Sequence, residues 1–82
     1  MYTFENLIFS KKAESGGVEA FMLFPNSLMI LVYGGGKEHY GDGRNTFEVR
    51  SPLHKDPLVN MKPDDITIEM KAIKNTKYNP EY

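Results

Sequence analysis

The pattern of apolar and polar positions is most telling in the middle of the chain. Val18, Ala20, Met22 and Phe24 occupy alternate positions, and the intervening ones hold Glu19, Phe21 and Leu23, so both faces of this run are largely apolar. A Pro25-Asn26-Ser27 break follows. Residues 28–33 then form a second run without a charged position, opening into Gly34-Gly35-Gly36. Two apolar runs separated by turn-forming residues predict an antiparallel hairpin. Strands apolar on both faces belong in the middle of a sheet, with a helix on one side and a second layer or a partner on the other.

Residues 2–9 carry Phe4, Leu7, Ile8 and Phe9 among polar positions, which predicts a first strand of imperfect periodicity and leaves a helical alternative open. Residues 11–17 are a polar connector ending in a glycine pair. Residues 46–51 alternate, with Phe47 and Val49 on one face and Glu48 and Arg50 on the other, as in a half-solvated strand near a sheet edge. The segment 51–61 contains Pro52 and Pro57 and reads as a loop with at most a short extended piece at Leu58-Val59. A helix over residues 63–75 is predicted by Pro63 at its first position, by Asp64 and Asp65 at the positive end of its dipole, and by Ile66, Met70 and Ile73 at i, i+4 and i+7. The rival pattern is a strand, since Ile66, Ile68, Met70 and Ala72 also alternate. Residues 76–82 form a polar tail, docked or frayed. The expectation is one α+β domain over residues 1–82: a small sheet of three or four mainly antiparallel strands, with one C-terminal helix packed on a face.

Size and charge narrow the function classes. A chain of 82 residues has a thin core, so self-association is expected. Ten Lys and Arg against eleven Asp and Glu, spread along the chain, give no basic footprint for nucleic acid. With no cysteine there is neither a disulfide framework nor a thiolate metal site, and a reducing cytoplasm fits. The central apolar stretch is too broken to span a bilayer as a helix, and residues 1–5 lack the basic, then apolar, start of a signal peptide.

The place to look for chemistry is the loop 34–44. Five glycines there free backbone N–H groups to approach an anion, and Lys37, His39 and Arg44 supply positive partners, with Tyr40 available for stacking. Gly35, Gly36, Lys37, His39, Tyr40 and Arg44 are thus the candidate residues for a small, nucleotide-like anion. Yet the spacing fits neither the P-loop nor the dinucleotide fingerprint, and turn punctuation between two strands is the commoner role of such glycines. His39 and His54, with Asp42 and Asp56 nearby, lack the arrangement of a metal site, and no Ser-His-Asp motif is present. No catalytic residue, no metal and no cofactor is expected.

The run from Gly17 to Ser27, the strand ending Val32-Tyr33-Gly34, then Tyr40-Gly41 and Phe47-Glu48-Val49, resembles small bacteriophage and prophage proteins. In these a strand ending Phe-Pro-Asn-Gly leads to a second strand, a Tyr-Gly loop, a further strand and a terminal helix. Ser27 stands where those proteins often have Gly, so the positive φ falls on Asn26 or the turn differs. The resemblance covers residues 17–75 and brings no activity with it. It implies a viral accessory protein that binds a host or viral macromolecule. With a single helix to cover a sheet apolar on both sides, Phe21, Leu23, Met29 and Leu31 are the expected interaction surface, and a homo-oligomer is the expected form.

Overall fold

The computed structural model describes residues 2–12, 16–36 and 41–77. The sheet has five antiparallel strands in sequence order: β1 (Ser10–Lys11), β2 (Val18–Leu23), β3 (Met29–Gly34), β4 (Phe47–Arg50) and β5 (Leu58–Met61). One helix, α1 (Pro63–Lys74), follows. The fold is α+β, with one strand more than the upper expectation of four.

The predicted hairpin is β2–β3, in continuous register from Val18 opposite Gly34 to Leu23 opposite Met29. Its connection is the three-residue loop Pro25-Asn26-Ser27, closed by the Ser27 N–H on the Phe24 carbonyl (3.0 Å) and the Phe24 N–H on the Leu28 carbonyl (2.8 Å). The positive φ, 72°, falls on Ser27 itself, as a type I turn with a left-handed third residue requires.

The helix reads as its residues dictate. Ile66, Met70 and Ile73 are fully buried, and Ile68, which the rival strand pattern needs inside, is 68% exposed. Asp65 accepts the Lys62 N–H (3.2 Å) at the start, and Lys71 and Lys74 lie in the last turn. This face of α1 packs on the sheet face formed by Ala20, Ile30, Val32, Phe47 and Val49, closing one core with Leu7 and Phe24.

Three expectations are corrected. Residues 2–9 form no strand: Phe4–Asn6 is a 3₁₀ turn tied to the helix by the Phe4 N–H on the Thr67 hydroxyl (3.0 Å), and Phe47 meets the tilted ring of Phe4 at 5.2 Å and the stacked ring of Phe9 at 5.3 Å. Packing of these rings overrides the weak local pattern. The stretch 58–61 is a true strand, its register against β4 shifted by a bulge between Phe47 and Val49 where Asn60 takes a φ of 56°. β4 consequently lies inside the sheet, and Glu48 is 5% exposed instead of solvated. The tail beyond Lys77 lies outside the described residues. Thr76 is docked through its carbonyl, which accepts from the Asn26 side-chain amide (2.6 Å).

Candidate functional site: the open face of the sheet

Because side chains alternate along a strand, the register that sends Ala20, Ile30 and Val32 towards α1 sends their neighbours to the opposite face. There Phe21 is paired with Leu31, Leu23 with Met29 and Glu19 with Tyr33. On β4, Arg50 stands beside Leu31 and Glu48 beside Tyr33. Phe21 is 66% exposed and Leu23 62%, Met29 is also exposed, and Leu31 is half-buried. The four residues expected as an interaction surface are brought together as one contiguous apolar patch. Ile8, also exposed, extends it past β2, and with Ser10, Glu19, Phe21, Leu31 and Tyr33 it lines a shallow groove of about 180 Å³.

The patch has charged margins. Arg50 lies with its guanidinium 5.5 Å from the Tyr33 ring and its Nε 3.5 Å from the Glu48 carboxylate, yet half of its side chain remains exposed. These two contacts hold the cation on the sheet surface at the β4 side. On the β2 side the exposed carboxylate is that of Glu19.

The glycine loop is built differently. Asp42 accepts the N–H groups of Arg44 (2.8 Å), Asn45 (2.7 Å) and Thr46 (3.0 Å), and these bonds, led by the one from Arg44, hold its carboxyl down at about 2 from an ordinary 3.8. The Gly35 N–H donates to the Gly41 carbonyl (3.1 Å) and the Gly43 N–H to that of Thr46 (3.0 Å). Of the glycine amides expected to approach an anion, those of Gly35 and Gly43 are therefore engaged by the loop's own carbonyls. Glycine is needed for close approach: a Cβ on Gly34 would lie 2.5 Å from the Gly43 Cα and 2.8 Å from the Phe47 ring. Gly36 is exposed at the edge of this loop, and Lys37, His39 and Tyr40 lie outside the described residues.

Sequence reading missed a polar cluster joining the loop after β4 to the helix. The Ser51 hydroxyl donates to Glu69 Oε2 (2.6 Å), and His54 Nε2 lies 3.2 Å from the same oxygen. The hydroxyl thus donates to the carboxylate and not to the imidazole, whereas a nucleophile needs the base as its partner. The cluster clamps loop to helix, and Glu69 lies 15 and 18 positions beyond His54 and Ser51, without a motif to mark the three. A larger concavity of about 490 Å³ beside α1 is lined by Tyr2, Thr3, Thr67, Ile68, Lys71 and Lys74, with the Lys74 ammonium 5.6 Å from the Tyr2 ring. Its described lining holds no carboxylate and no histidine. Among the described residues no helix is long and apolar enough to cross a membrane, and no group of three or more His, Cys, Asp and Glu side chains converges.

No protein-family model, no curated protein and no solved structure matches this chain.

Proposed function

We propose that this chain is a non-catalytic binding protein of the phage accessory kind, acting in the cytoplasm by docking protein on the open face of β2 and β3. The observation that carries this reading is the exposure of Phe21, Leu23 and Met29 side by side on a sheet whose other face is sealed by the only helix among the described residues. Isolated surface apolars are ordinary, but a cross-strand cluster of this kind marks an interaction site. The phage-like origin rests on the resemblance over residues 17–75. A host or viral protein is the partner class that origin suggests. The test is whether the face is available for burial. The native protein should either bind an apolar reporter dye as a monomer or occupy an assembly that shields the face, and Phe21→Ser with Leu23→Ser should abolish both behaviours while the fold persists. A native monomer that binds no dye at any concentration would sink the reading.

A further inference from the structure

We propose that the concavity between the N-terminal turn and α1 is a binding site for a small amphipathic carboxylate, an alkyl or aryl body carrying one acid group. It stands apart from the open face, on the helix side of the sheet. Its volume of about 490 Å³ falls in the range of small-ligand sites. The walls are fixed before any ligand arrives: Tyr2 packs on the Phe24 ring at 5.2 Å, the Thr3 hydroxyl donates to Asn6 Oδ1 (2.8 Å), and the Thr67 hydroxyl accepts the Phe4 N–H (3.0 Å). Little ordering is therefore left to be paid on docking. Ile68 and the Tyr2 ring form the apolar part. Ile68 is 68% exposed, and α1 seals the core through Ile66, Met70 and Ile73 without it. A lone exposed isoleucine is ordinary, but one that lines a cavity beside an aromatic ring supplies an apolar wall.

The charged part has one sign. Lys71 and Lys74 line the cavity, and neither ammonium has a carboxylate partner among the described residues. On this side of α1 the acidic position is Asp64, seven residues before Lys71 and roughly 10 Å away along the axis. Glu5, on the 3₁₀ turn, is exposed and outside the described lining. Both lysines sit in the last turn, where the helix dipole favours cations, but the dipole does not use them up. The carbonyls of Ile73 and Thr76 already accept from the Asn26 side chain, and the Lys74 ammonium lies 5.6 Å from the Tyr2 ring. Lys71 is left as the cation without a partner among the described residues. Thr67, four positions before it and so its neighbour on the helix surface, accepts a bond and donates none among the described residues. An ammonium and a hydroxyl side by side match the two oxygens of one carboxylate.

The probe is octanoate, titrated into the full chain and followed by amide correlation NMR spectra, with octanol and acetate supplying the body and the charge alone. Octanoate should give saturable shifts at Tyr2, Thr3, Thr67, Ile68, Lys71 and Lys74, and should bind roughly tenfold or more tightly than either control, the scale of a charge-assisted hydrogen bond. Lys71→Gln should abolish the advantage of octanoate over octanol, and Ile68→Ser should weaken octanoate itself. Both side chains are exposed, so the folded spectrum should persist in each variant. Equal binding of octanoate and octanol, or undiminished octanoate binding by Lys71→Gln, would overturn the carboxylate site. Shifts centred on Phe21 and Leu23, and lost in Phe21→Ser, would assign the probe to the open sheet face and overturn it as well. Absence of saturable shifts up to about 10 mM octanoate, well above a millimolar Kd, would do the same.

Discussion

Asn26, in the β2–β3 turn, joins the sheet to the helix. The Asn26 side-chain amide donates to the carbonyls of Ile73 (2.7 Å) and Thr76 (2.6 Å) at the end of α1, while its oxygen accepts the Leu28 N–H (3.1 Å). It therefore serves as a helix C-cap supplied from a distant part of the chain, satisfying carbonyls that a helix end otherwise leaves to water. Asn26→Ala should lower stability by about 2 kcal/mol, the scale of losing two or three partly buried hydrogen bonds, measured as a shift of the urea midpoint at constant slope. Asn26→Asp keeps the acceptor but turns a carboxylate towards the negative end of the helix dipole, so it should be no better than alanine near neutral pH and should recover on acidification. Ser27 works against the fold. Its φ of 72° is a left-handed conformation that a side chain resists by roughly 1 kcal/mol, and Ser27→Gly should recover about half of this after the greater freedom of glycine in the unfolded chain is subtracted. Calorimetric melting at a fixed protein concentration checks the sign.

At the scale of elements, the described part of the glycine loop forms a buckle, in which Gly34, Gly43 and the Phe47 ring are packed too closely for any side chain. Gly34→Ala should cost about 2 kcal/mol through overpacking although its φ is ordinary, a loss visible as a lower urea midpoint. The buckle's internal anion is Asp42, whose carboxyl titrates lower in the fold than in the unfolded chain, so its contribution is complete above about pH 4 and is lost as the pH falls through about 2. The stability difference between the wild type and Asp42→Asn should thus be constant from neutrality down to about pH 4 and narrow towards pH 2. The loop's glycines were legible as glycines; that Asp42 would take the amides of Arg44, Asn45 and Thr46 was not, because an Asx arrangement depends on backbone path. The helix was legible because Ile66, Met70 and Ile73 repeat with its period and its caps agree with them. Strand β5 was hidden by Pro57 and by Asn60, whose left-handed bulge suits no local strand rule. The first segment misled because only tertiary packing on Phe47 and Thr67 decides its path.

For the whole molecule, the decisive fact is that one helix meets a sheet with two apolar faces. This much was legible, since counting helices left Phe21, Leu23, Met29 and Leu31 without cover. The charged margins were not, because placing Arg50 beside Leu31 requires the β3–β4 register. The two faces should respond to substitution in opposite ways. On the helix side Ile30 is fully buried, and Ile30→Ala should cost about 3 kcal/mol, a large share of the stability of roughly 4–12 kcal/mol expected for a chain of this length. On the open side Phe21→Ser removes a ring that the monomer leaves mostly in water, so the intrinsic stability of one chain should change by no more than about 0.5 kcal/mol. Burial of that ring by a partner adds a term that follows mass action. The melting temperature of the wild type should rise with protein concentration, and that of Phe21→Ser should not. Dilute samples of the two should melt together and concentrated ones apart. Ile30→Ala should instead melt lower at every concentration while keeping the wild-type slope, because its defect lies in the fold and not in the contact. A wild-type melting temperature independent of concentration would place the open face outside any self-contact.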